Sequence, residues 1–71
     1  MNWRDRVSID RDVAVGKPVV KGTRIAVELV IGLLGRGYTV DQILRQYDHL
    51  TAEDVQACLA YAAEVLSSEK A

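Results

Sequence analysis

The side chains best able to do chemistry in this sequence are cations, and they crowd at one end. Residues 1–24 hold Arg4, Arg6, Arg11, Lys17, Lys21 and Arg24 against Asp5, Asp10 and Asp12, a local charge of +3. Residues 25–71 hold Arg36, Arg45 and Lys70 against seven carboxylates, a local charge of −4. Such a split suits a phosphate backbone or an acidic protein surface, and a solvated face produced by chance clustering is the plain alternative. Gly16-Lys17 and Lys21-Gly22-Thr23 have the composition of phosphate loops, but P-loop spacing is absent and no helix follows directly. The glycines are read as turn formers and Thr23 as a turn-fixing hydrogen-bonder. Arg24, beside that turn, has two readings. It could make a bidentate contact to a carboxylate or phosphate, or it could hold the turn through Glu28, four residues on. Trp3 also has two readings, as an interface anchor or as a cap on the hydrophobic core.

Nothing in the sequence assembles into catalytic machinery. His49 is the sole histidine and Cys58 the sole cysteine, so no zinc site of four Cys or His ligands and no internal disulfide is available. No carboxylate pair or nucleophile with a partner base can be put together. No catalytic residue, metal or cofactor is expected. Cys58 reads as a small core residue and His49 as a solvated turn residue.

These groups need a scaffold, and 71 residues supply one domain. Apolar residues make up 49% of the chain, with no Phe and one Trp, so the core is aliphatic. The longest apolar run, Leu29–Gly35, is far short of the roughly 20 residues that span a bilayer. The polar start with Arg4, Asp5 and Arg6 shows no signal peptide. The expectation is a soluble cytoplasmic protein without membrane contact.

Residues 1–26 read as extended. Val7 and Ile9 flank Ser8, giving a strand near 6–9. Pro18 excludes a central strand position, the following β-branched residues favour strand, and Lys21-Gly22 signals a turn. The pattern predicts a hairpin with strands about 18–20 and 23–25. Residues 27–68 then read as three helices. The first, 27–36, carries Val27, Val30, Ile31 and Leu34 on one face and Leu29 and Leu33 on another, and Gly37 ends it. Gly32 and Gly35 are costly inside a helix; they point to close packing or to early fraying. The second begins at a Thr39–Gln42 capping box, with Tyr38 and Ile43 placed as a hydrophobic staple. After the turn Asp48-His49-Leu50, Thr51 and Asp54 repeat the box and Leu50 and Val55 the staple. The third helix carries a stripe of Val55, Cys58, Leu59, Ala62, Val65 and Leu66.

The fold class is therefore mainly α: a three-helix, helix-turn-helix unit with a short N-terminal β segment. A chain this small is marginally stable, and without disulfide or metal the remaining remedy is self-association. A homodimer is expected, with Leu29 and Leu33 at the seam. A helix-turn-helix suggests DNA, and the exposed early positions of the third helix would be Ala52, Glu53, Gln56, Ala57 and Ala60. Gln56 could pair with adenine. Yet no Lys or Arg lies between Gln46 and Glu69, and phosphate neutralisation supplies most of the affinity for DNA. Glu53 and Asp54 suit a helix N-terminus through its dipole instead. Any nucleic-acid contact is expected from the basic N-terminal segment, as arm or ribbon, aided by Arg36 and Arg45. An acidic protein surface is the other partner for that segment.

The run Gly16-Lys17-Pro18-Val19-Val20-Lys21-Gly22-Thr23-Arg24-Ile25 resembles the opening motif of a widespread prokaryotic family, domain of unknown function 433. Gly37-Tyr38-Thr39 and Tyr47-Asp48-His49-Leu50-Thr51 resemble its later steps, so the resemblance covers about residues 5–66. It implies a homeodomain-like or winged-helix-like fold. It also implies an antitoxin that masks a ribonuclease toxin with a PIN-like domain, with binding to its own promoter as a second role. A protein-interaction module that never binds DNA is the rival reading.

Overall fold

The computed structural model describes residues 2–9 and 16–68. A 3-10 turn, Trp3–Asp5, is capped by the Asn2 side chain, which accepts from the Arg4 amide. It leads into β1, Val7–Ile9, which pairs antiparallel with β2, Pro18–Val20; Val7 faces Val20 and Ile9 faces Pro18. Three helices follow: α1, Val27–Gly35; α2, Val40–Gln46; and α3, Ala52–Ser68. The architecture is the expected three-helix unit behind a short antiparallel hairpin.

The hairpin is built from different strands than the sequence pattern predicts. The partner of residues 18–20 is 7–9, not 23–25. Thr23 explains the difference. Its hydroxyl donates to the Val20 carbonyl at 2.8 Å and accepts from the Ile25 amide at 3.0 Å, while its own amide also donates to Val20. Thr23 therefore spends its polar groups on a turn, while the Lys21 amide donates to the Arg6 carbonyl on the β1 side. One β-bridge, Val19 with Ala26, is what remains of pairing on that side. Gly22, at φ +83°, takes the left-handed conformation this turn requires. Pro18 sits at the first position of its strand, where its missing N–H is tolerated.

The helix ends follow their local signals. Gly37 has φ +96°; its amide donates to Leu34 and the Tyr38 amide to Leu33, a Schellman closure of α1. At α2 the Thr39 amide donates to Gln42 Oε1 at 2.8 Å and the Gln42 amide to Thr39 Oγ1 at 3.1 Å. The same reciprocal pair joins Thr51 and Asp54 at the start of α3, at 3.0 and 3.1 Å. Aspartate thus serves in the box as well as the longer Gln42 does.

Val7 and Val20 from the hairpin, Val27, Val30 and Leu33 from α1, Ile43 from α2, Leu50, and Val55, Ala57 and Cys58 from α3 form one core. Two expectations are corrected here. Leu33, assigned to a partner-facing seam, is 6% exposed and belongs to this core, whereas Leu29 is 40% exposed. Ala57, assigned to the exposed side of α3, is completely buried. The predicted buried stripe of α3 also stops early: Leu59, Val65 and Leu66 are exposed. At about 1.5 Å per residue, the 17-residue α3 outruns the nine residues of α1 and seven of α2. Its last turns have little beneath them.

Candidate functional site

The basic N-terminal segment is largely spent within the molecule. Arg6 leaves the 3-10 turn pointing at the start of α3. It donates to Asp54 Oδ1 at 3.1 Å and Glu53 Oε2 at 3.0 Å, and reaches Thr51 Oγ1 at 3.5 Å. Asp54 is thereby held from two sides, by the Thr51 amide and by a guanidinium, and this is how a carboxylate stays buried there. Arg4 stacks over the Trp3 ring, 4.4 Å from its centroid, and reaches Glu64 at 3.5 Å. Trp3 itself donates its indole N–H to Glu64 and meets Tyr61 edge-on, ring centroids 4.9 Å apart. Of its two readings, the core cap is the one realised within the chain. Lys17 pairs with Glu28 at 2.9 Å, and Lys21 donates to the Arg4 carbonyl at 3.4 Å.

The remaining site candidates divide differently. Arg11 lies outside the described residues. Arg24, Arg36 and Arg45 are exposed and form no ion pair among the described residues; the Glu28 carboxylate that Arg24 could have used is taken by Lys17. Gln56 is exposed on α3, one turn beyond the Arg6 clamp. Sequence reasoning missed that Glu53, Asp54 and Glu64 are the acceptors for Arg4 and Arg6. The signal was present: a basic first third and an acidic remainder are complementary to each other before they are complementary to anything else.

Beyond Tyr61, whose ring also meets Trp3, the α1-facing side of α3 is open. Between α1 and the second half of α3 runs a groove of about 420 Å³. Ile31 and Gly32 line it from α1, and Ala62, Val65 and Leu66 from α3. Glu28 is the one charged residue in the lining, and Lys17 already neutralises it. The sequence leaves Gly32 and Gly35 two readings, close packing or early fraying. The helix α1 takes in both, and close packing within the chain is not found: a side chain at either position would meet nothing within 4 Å outside its own helix.

The two groups with reactive potential are set apart. Cys58 is fully buried, and desolvation, helped by the nearby Asp54 charge, pushes its thiol up to about 11. It therefore stays protonated and unreactive at neutral pH. His49 is exposed on the α2–α3 turn, 3.7 Å from Asp48. Among the described residues no His, Cys, Asp and Glu group could hold a metal ion, and no helix is long and apolar enough to cross a membrane.

The chain is a mainly helical three-helix unit behind a short antiparallel hairpin, with an apolar groove left open between α1 and α3. The family model "Protein of unknown function (DUF433)" matches residues 7–62. The chain belongs to the DUF433 family. It is 34% identical over 59 residues to the uncharacterized protein y4eO of Sinorhizobium fredii, a match covering 83% of this chain and 27% of that one. The crystal structure of a DUF433 member from Anabaena variabilis superposes with a TM-score of 0.83 at 26% identity, over 92% of this chain and 64% of the other. The chain thus spans about a quarter of the one relative and under two thirds of the other.

Proposed function

We propose that this protein is a non-catalytic, antitoxin-like binding protein that works by docking protein surfaces in the groove between α1 and α3. The observation that carries the reading is the groove itself: apolar, open, and flanked by Val65 and Leu66 at 40% and 68% exposure. Exposed apolar surface collected in one place marks an interaction site. In the form the family resemblance suggests, the partner is a ribonuclease toxin with a PIN-like domain, and the work is done in the cytoplasm. RNA cleavage by a PIN-like ribonuclease encoded beside this gene is expected to stop when equimolar chain is added. It is expected to resume when the added chain carries Leu66→Asp. Cleavage undiminished by a molar excess of the wild-type chain removes the antitoxin role.

DNA binding is a second reading, favoured by the exposed Arg24, Arg36 and Arg45 and their lack of ion pairs among the described residues. Arg4, Arg6 and Lys17 are poor phosphate ligands here, because each would have to leave a carboxylate. If the chain shifts its own upstream sequence, replacing Arg24, Arg36 and Arg45 by Ala weakens binding at every sequence. The salt slope flattens by roughly 1 per lost contact. Gln56→Ala instead alters sequence preference. A slope unchanged in the triple variant sends the phosphate contacts elsewhere.

A further inference from the structure

We propose that Trp3, which lies outside the groove, is a positioning residue for it: the indole fixes the Tyr61 ring, and that ring forms part of the groove wall. The inference rests on the groove being the binding surface, and it adds what sets the shape of that surface.

Tyr61 belongs to two neighbourhoods at once. On one side it lines the groove beside Ala62, Val65 and Leu66, the sole aromatic side chain in that lining. On the other it meets Trp3 edge-on, with ring centroids 4.9 Å apart and ring planes at 81°. Such a pair is directional, because the positive edge of one ring seeks the negative face of the other. The rest of the wall is set by other means. Val27 belongs to the core, Ile31 packs against it, and Ala62 has no side-chain torsion to turn. Val65 and Leu66 stand exposed at the rim. Tyr61 is half-buried and has two torsions, so its ring is the part of the wall that a neighbour can aim.

Trp3 is able to aim it because Trp3 is itself held at two points on α3. Its indole N–H donates to Glu64, three residues along the helix from Tyr61. Positions three apart are neighbours on one helix face, so the indole bridges them. Arg4 lies over the indole, 4.4 Å from the ring centroid, and reaches the same carboxylate. The Asn2 cap closes the turn that carries both side chains. A wall set in advance spares a ligand the cost of ordering it. Coupling of this kind is reciprocal, so an occupant of the groove must also be felt at Trp3.

The test titrates Nile red, an uncharged apolar dye, into the full chain. The wild type is expected to bind it in the groove, and Leu66→Asp to lose it. Trp3→Ala is expected to weaken dye binding roughly three- to tenfold with helical circular dichroism retained. Glu64→Ala, which leaves the indole in place but unanchored, is expected to do the same. Trp3→Phe keeps an aromatic ring against Tyr61 and Glu64→Gln keeps an acceptor for the indole, so each restores most of the affinity. In a Tyr61→Leu background Trp3→Ala should change nothing further, because the route between the two sites is gone. The emission wavelength of Trp3, the sole tryptophan, should shift as dye fills the wild-type groove. Undiminished affinity in either alanine variant overturns the inference, as does an equal loss in the Tyr61→Leu background. A wild type that takes up no dye, or dye binding that ignores Leu66→Asp, removes the groove reading and this inference with it. Dye binding lost with Leu66→Asp but indifferent to Trp3→Ala overturns the positioning role alone and leaves the groove in place.

Discussion

Asp54 serves three neighbours at once. It closes the α3 cap with Thr51, receives Arg6, and lends its charge to the surroundings of Cys58. The thiol is the group whose pH behaviour follows. Its ordinary value of 9.0 is raised to about 11, first by burial and then by Asp54. As pH climbs past 9 the unfolded chain releases this proton while the folded chain keeps it, so the folded state loses ground. The contribution is whole below pH 9 and is gone above 11. Urea midpoints of the wild type should therefore fall more steeply between pH 9 and 11 than those of Cys58→Ala. Parallel curves would show that the thiol ionises as freely folded as unfolded. Cys58 was legible as a core residue from its type alone. The Asp54–Arg6 contact was not, because it joins positions 48 residues apart and no local pattern encodes such a meeting.

At the scale of elements, what the sequence revealed best was what depends on near neighbours. Both capping boxes and the Gly37 closure sit where Thr39, Thr51 and Gly37 indicate, since each is satisfied by residues within five positions. Thr39→Ala and Thr51→Ala should each cost about 1 kcal/mol in chemical denaturation. Unchanged midpoints in both would mean the helices begin elsewhere. The hairpin was misread because β-branched runs say that a strand forms, not with whom it pairs. Thr23 diverts its neighbours into a turn, and β1 takes the place they left. The apolar stripe of α3 was read correctly as a stripe and wrongly as buried throughout. Periodicity reports a helix face; whether anything covers it depends on the lengths of the neighbouring helices.

Across the whole molecule, the first segment is fastened to the last helix. Five contacts do it: Trp3 with Glu64 and with Tyr61, Arg4 with Glu64, and Arg6 with Glu53 and with Asp54. The charge asymmetry that suggested an external partner is in good part consumed by this fastening. Its span also sets an order of events. Trp3 and Glu64 are 61 residues apart, whereas the caps and the α1–α2 closure are local. Bringing distant ends together spends chain entropy before any contact repays it. The helical unit should therefore condense first, and the N-terminal ribbon should dock onto α3 last and release first. Arg6→Met should then speed unfolding and leave the folding rate nearly unchanged. Stopped-flow fluorescence can follow this directly, because Trp3 is the sole tryptophan and sits at the docking point. A folding rate that slows in proportion to the lost stability would instead put the ribbon in the nucleus, formed at the top of the barrier.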